Sequence, residues 1–175
     1  DLDTIRKEHP TATIIDVTSH AQDKYVKLSP FYPHGDIPVP FTPGMTACTV
    51  ESIWQGLKVF EKQDIDTTLF QNTTMRHLKR PKKKLGKLLG LRKGVYGTEL
   101  IEYIPARREI YIPTYKWMLE HKAMDVISKL KEESTRGPLV LLDFDTNADI
   151  DAPEPLSHAS LVRAYIEGTY PECPV

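Results

Sequence analysis

Five prolines within seventeen residues constrain this chain more than any other feature. Pro30, Pro33, Pro38, Pro40 and Pro43 all fall between Leu28 and Gly44. Proline lacks an N–H and fixes φ, so the stretch excludes a helix and any central strand. It predicts an ordered loop with short edge pieces, carrying Phe31, Tyr32, His34 and Phe41. Elements are expected on either side. Thr13 to Val17 is rich in β-branched residues and reads as a first strand. After the loop, Thr49 is a good N-cap and Glu51 a favourable first-turn acid. Val50, Ile53, Trp54, Leu57 and Phe60 then follow helical spacing, with Glu51, Gln55, Lys58 and Lys62 on a polar stripe of the same period.

The remaining chain alternates helical stretches with one strong strand. A second helix is expected from Asp66 to Leu78, broken by Pro81, and a short helical turn from Leu85 to Leu91. Thr98 to Ile104 fits helix or strand equally, and Pro105 is expected to end it. A long helix follows from Thr114 to Glu133, with Trp117, Met118, Met124, Ile127 and Leu130 on its packed face. Arg136-Gly137-Pro138 stops it. Leu139 to Phe144 reads as a central strand, and a last helix runs from Ser157 to Glu167, closed by Gly168. The expected organisation is a lead-in over 1–12, one compact domain over 13–170 and a tail over 171–175. Its class is α+β, mainly helical around a small β-sheet.

Composition places the chain among ordinary globular domains, at 175 residues with 40% apolar and 27% charged. No apolar run reaches membrane-spanning length, and no charged-then-apolar segment suggests a signal peptide. The first residue is Asp1 rather than Met, which points to a trimmed or processed piece. Cys48 and Cys173 fit neither a disulfide framework nor a metal spacing, so a cytoplasmic setting is expected. The net charge of −1 is unevenly spread. Thr67 to Thr98 holds no acid and nine basic residues: Arg76, Lys79, Arg80, Lys82, Lys83, Lys84, Lys87, Arg92 and Lys93. Such a window seeks anions, or is simply a solvated face.

The motifs narrow the chemistry. The six histidines are scattered, and no metal or cofactor site is expected. There is no G-x-G-x-x-G, no phosphate-binding P-loop and no nucleophile elbow. Carboxylates remain. Glu51 lies near a helix N-terminus and a cationic window, where phosphate binds and a carboxylate can stabilise an oxocarbenium ion or position water. The plainer reading is a favourable first-turn acid. The acidic loop after the strand is the second candidate. Asp143 and Asp145 flank Phe144 and should point to opposite sides. Asp145 to Asp151 alternates like a calcium loop but lacks its glycine and terminal glutamate.

The loop Leu28-Ser29-Pro30-Phe31-Tyr32-Pro33 and the segment Val50-Glu51-Ser52-Ile53-Trp54-Gln55-Gly56-Leu57-Lys58-Val59-Phe60 resemble the NADAR (YbiA-like) family. Glu51, Trp54, Gln55 and Lys58 fall in register with that family's helix. Leu85-Gly86-Lys87, Arg108 to Leu130, Leu139 to Asp145 and the helix from Leu156 are similar to its later parts, in order. The resemblance covers Ile14 to Glu167. Departures are Pro30 for the loop asparagine, Lys87 for an arginine, Tyr111 for a tryptophan, and the absence of a W-G-d-G element after the strand. Lysine cannot reproduce arginine's planar two-pronged contact to phosphate.

The resemblance implies an N-glycosidase that splits a base-to-ribose bond, with ADP-ribosylated nucleobases or phosphorylated riboflavin-pathway intermediates as substrates. It implies Glu51 and then Asp145 as catalytic residues. Lys58, Lys87, Arg92 and Arg108 would hold phosphate, and Tyr32, Trp54 and Tyr111 would stack on a base. Competing readings are a nucleic-acid-binding module using the basic 76–93 segment, a nucleotide sensor without turnover, and a glycosyltransferase. Few aromatics interleave with the cations, which disfavours the first.

Overall fold

A computed structural model describes residues 1–172, so Cys173 and most of the expected tail lie outside the described residues. The lead-in, expected as loose chain, is instead helical. Asp1 caps Leu2–Glu8 (α1) by accepting the Asp3 N–H, and none of its residues is buried. Thr13–Asp16 (β1) forms the expected first strand. The proline segment holds only Ile37–Pro38 (β2), which pairs antiparallel with Thr46–Ala47 (β3).

The helix after Thr49 forms but stops early. Val50–Gly56 (α2) is followed at once by the strand Lys58–Phe60 (β4). Gly56 explains the stop. A Cβ there would lie 2.6 Å from the Phe70 ring and 3.0 Å from the Asp66 carbonyl. The chain therefore turns against a close neighbour that only glycine admits. The Arg80 guanidinium donates to the carbonyls of Gln55 at the end of α2, Lys58 on β4 and Asp64 beyond it, and so ties the three together. The polar stripe is not solvated: every residue from Val50 to Phe60 is buried.

The next stretch departs furthest from helical expectation. Between Asp66 and Leu78 only a 3₁₀ turn forms, at Thr67–Gln71. Lys82–Leu85 (α3) is one helical turn, and Leu88–Arg92 (β5) is a strand rather than a helical turn. It pairs antiparallel with β4 and with Leu100–Ile101 (β6). Pro105 does not end its element. It sits inside Tyr103–Ala106 (α4), within a first turn where no N–H is needed. The chain stays helical through a π-type turn at Arg107–Tyr111 into Ile112–Lys122 (α5). The expected single long helix is broken at Ala123, and Met124–Arg136 (α6) follows.

Leu139–Leu142 (β7) is not a central strand. Among the described residues its one strand partner is β1, in parallel register from Thr13↔Leu139 to Asp16↔Leu142, and its residues are half-buried. His158–Glu167 (α7) is capped by Ser157 and ends at Gly168 in the left-handed region. The architecture is α+β, with three small sheets among the described residues instead of one. A single apolar core joins α2, α5 and α6 through Ile53, Tyr115, Met118, Leu119, Ile127 and Leu130. The buried Tyr115 hydroxyl donates to the Leu28 carbonyl at 2.6 Å and ties the proline loop to α5. Among the described residues no helix is long and apolar enough to cross a membrane.

Candidate functional site

The wall of the site is built by α2 and β4. Thr49 Oγ1 accepts the Ser52 N–H at 2.9 Å, and the Glu51 N–H donates to the Pro30 carbonyl at 2.9 Å. The first turn is thus tied to the proline loop, and these two amides are already satisfied. Two of the amides that a phosphate at this helix N-terminus would use are thus occupied. What faces outward instead is a row of side chains: Glu51, Trp54, Gln55 and Lys58 line a cavity of about 660 Å³.

Glu51 is 8% exposed, and its Oε1 accepts from Gln55 Nε2 at 2.8 Å. Burial pushes its carboxyl above the usual range. The Gln55 hydrogen bond and the Lys58 and Lys79 charges oppose that rise, while Asp145 adds to it. Lys58 is 7% exposed. Burial lowers its ammonium to about 8, against the upward pull of Glu51. Lys58 Nζ lies 5.7 Å from the Trp54 ring centroid, and it makes no hydrogen bond or ion pair with a described residue.

The second wall comes from the π-type turn. A π-type turn changes the residue register of a helix and is frequent at functional sites. Here it brings both Arg107 and Tyr111 to the cavity. Tyr111 lies 5.6 Å from Trp54, and Tyr103 lies 5.5 Å from it, both edge to face. Burial, then the Glu51 charge, push the Tyr111 hydroxyl well above its ordinary value, so the ring stays neutral. Arg107 is not free to take an anion. Its guanidinium donates to the carbonyls of Ile150, Ala152 and Glu154 at 2.7–2.9 Å. It braces the acidic loop.

The third wall lies at the carboxyl ends of β1 and β7. Asp143 Oδ2 accepts from Ser157 Oγ at 2.8 Å and the Ala159 N–H at 3.2 Å, and pairs with His158 Nδ1 at 3.1 Å. Burial would raise this carboxyl, but the His158, Ser157 and Ala159 contacts win and lower it to about 2. His158 Nε2 meets the Val17 carbonyl at 2.6 Å. Both ring nitrogens thus face oxygen atoms, one on Asp143 and one on Val17. Asp145 and Phe144 are exposed at the mouth. Lys79 and Lys82, both exposed, line the cavity as well.

Of the residues picked from sequence, Glu51, Asp145, Trp54, Lys58 and Tyr111 meet at this cavity. Tyr32, Lys87, Arg92 and Arg108 do not line it. Tyr32 is half-buried with its ring 4.6 Å from His34. Lys87 is exposed, with its backbone N–H on the Glu61 carboxylate. Arg92 forks onto Asp64, and Arg108 onto Asp151 at 2.8 and 2.9 Å. Tyr103, Arg107, His20, Phe144 and His158 line the cavity without having been singled out as site residues. The pattern gave no reason to separate Arg107 from Arg108, since the π-type turn that orients them leaves no sequence signature. Lys79 and Lys82 belonged to the basic window and were legible as charge only. A larger groove of about 1060 Å³ runs along β7 and α7 past α1, and neither Glu51 nor Lys58 lines it.

Residues 1–162 match the family of unknown function DUF6939. No curated protein matches the chain. With more than nine-tenths of its length inside that match, the chain belongs to the DUF6939 family.

Proposed function

We propose that this chain is a cytoplasmic N-glycosidase with a NADAR-like fold, hydrolysing the base–ribose bond of an ADP-ribosylated nucleobase or a related phosphorylated N-glycoside. One observation carries the reading. A buried carboxyl and a buried amine, Glu51 and Lys58, line one cavity together with Trp54, Tyr111 and two exposed lysines. Cleaving an N-glycoside requires negative charge near C1′, a proton for the departing base and cations for the phosphates. The resemblance of the Glu51 segment to the NADAR helix supports the same assignment.

The residues divide the work as follows. Water adds its oxygen to C1′ as the C1′–N bond breaks. The electron pair of that bond goes to the base nitrogen, which takes a proton from the Lys58 ammonium. The Glu51 carboxylate accepts the proton that water loses. Proton exchange with solvent resets both groups, leaving a free base and a ribose hydroxyl. A carboxyl raised by burial is a stronger base, and an ammonium lowered to about 8 is a better acid near neutral pH. Lys58 is therefore assigned to the proton, and Lys79 and Lys82 to the phosphates. Asp145, at the same mouth, faces the positive charge that develops on the sugar.

A second reading is a non-catalytic nucleotide or nucleic-acid binding module. It draws on Lys83, Lys84 and Lys87, which are exposed and make no ion pair with a described residue. One assay separates the two. Wild-type protein is incubated with an ADP-ribosylated oligonucleotide and with a phosphorylated riboflavin precursor, and chromatography follows ADP-ribose freed from the first and base freed from the second. The glycosidase reading expects release from at least one substrate. Salt-sensitive retention of the oligonucleotide, with no release from either, would overturn it in favour of the binding module.

A further inference from the structure

Phe144 is 68% exposed, and it stands where its ring can serve the cavity mouth. Its backbone is held. Asp143 Oδ1 accepts the Phe144 N–H at 2.7 Å, while Oδ2 of the same carboxylate is bound by Ser157, His158 and Ala159. Phe144 sits in a bend just past the end of β7, with Asp143 held inward and the Phe144 side chain in solvent. The His20 ring meets Phe144 edge to face at 5.2 Å. His20 is anchored in turn, its N–H donating to Thr18 Oγ1 at 3.1 Å, with the Thr18 N–H on Asp16 Oδ1 at 2.8 Å. Two exposed rings are thus fixed to the carboxyl ends of the parallel strands β1 and β7, where open parallel sheets commonly receive ligands. An apolar ring that is 68% exposed, in contact with His20 and bordering a polar cavity is suited to stacking.

We propose that Phe144, braced by His20, is a stacking platform for a second planar group of the ligand, one that stays outside the cavity. This rests on the glycosidase reading. Glu51 and Lys58 lie inside beside Trp54, so the scissile bond and its base belong inside. A ligand that also reaches Phe144 carries another ring beyond its phosphates, and Lys79 and Lys82 stand at the same cavity to receive those phosphates. The ligand class is therefore a dinucleotide-like molecule, two planar groups joined through a pyrophosphate, rather than a mononucleotide. Phe144 is a specificity-determining residue: it adds affinity for the distal ring and touches no reacting atom.

Calorimetric titration with ADP-ribose and with ribose 5-phosphate tests this on wild type, Phe144→Ala and Phe144→Trp. ADP-ribose retains the distal ring, and ribose 5-phosphate lacks it. Wild type is expected to bind ADP-ribose the more tightly. Phe144→Ala should weaken ADP-ribose by about 10-fold, the scale of one lost base–aromatic stack. Ribose 5-phosphate should change by less than about 2-fold, and Phe144→Trp should restore ADP-ribose binding. Equal weakening of both ligands, or unchanged ADP-ribose binding in Phe144→Ala, overturns the platform and leaves the glycosidase reading standing. Wild type that binds neither ligand and turns over no N-glycoside overturns both.

Discussion

The wall from Val50 to Phe60 and the loop from Asp143 to Leu156 border one cavity and treat their charges in opposite ways. The wall is entirely buried, yet it holds Glu51 with Gln55 as its hydrogen-bond partner and Lys58 with no hydrogen bond or ion pair to a described residue. The loop is largely exposed, yet its groups are well occupied. Arg108 forks onto Asp151, Arg107 takes three carbonyls, and Asn147 Nδ2 donates to Asp149 and Glu154 carbonyls. Burying an under-partnered charge costs stability, whereas partnering an exposed one costs little. The wall therefore carries groups a purely structural segment would shed, and the loop carries groups that hold it in place. Asp143 is the exception within the loop: its side chain is 7% exposed and bound by Ser157, His158 and Ala159, and it works as a strap.

Replacing Lys58 with methionine breaks this comparison most sharply. Turnover should fall by about 100-fold, the usual scale for losing a proton donor. Stability should nonetheless rise by about 1–3 kcal/mol at pH 7. The sign follows from the depressed ammonium. Its folded value of about 8 lies below the unfolded value of 10.5, so the folded state bears a cost at lower pH that fades as pH climbs from 8 to 10.5. Denaturant unfolding at pH 7 and pH 10 should show the methionine advantage shrinking. A destabilised Lys58→Met would mean the amine is structural.

Arg107→Met should do the reverse, costing about 3 kcal/mol by leaving three loop carbonyls without their donor. Hydrogen exchange should rise at 143–156 and stay unchanged in α5 and α6. Full protection of the loop in this variant would contradict the bracing role.

The Asp143 strap predicts an acid limb. Its carboxyl lies at about 2 in the folded state against 3.8 unfolded, so its contribution is present above pH 4 and is lost as pH falls toward 2. That contribution is on the order of 2 kcal/mol. Asp143→Asn should flatten the limb in urea titrations between pH 5 and 2.5, and an unchanged limb would move its origin elsewhere.

The smallest effect is expected at Arg108. Its pair with Asp151 is exposed on both sides, so Arg108→Ala should change stability by less than about 0.5 kcal/mol and leave turnover nearly intact. A large loss of turnover would return Arg108 to the phosphate role that resemblance implied.

These contrasts also separate what was legible in the sequence from what was not. The Thr49 cap and the first turns of α2 were legible because capping and apolar periodicity are local. Glu51, Gln55 and Lys58 were read as one polar helical stripe. They do meet in space, but Lys58 arrives from a strand, because Gly56 lets Phe70 approach and the helix stops there. That contact is long-range and leaves no period to read. The same holds for Leu88–Arg92, where pairing with β4 and β6 overrides a basic, helix-compatible stretch. Arg107 and Arg108 are adjacent and identical in type, and only the π-type turn decides which one is buried.

The most direct test of the central claim compares wild type with Glu51→Gln, measuring turnover of an ADP-ribosylated nucleobase and affinity for ADP-ribose on the same preparations. The account predicts at least about a 100-fold loss of base release with ADP-ribose affinity held within a few-fold, since glutamine keeps the shape and loses the base. Unchanged turnover in Glu51→Gln, or no turnover by wild type, would contradict it.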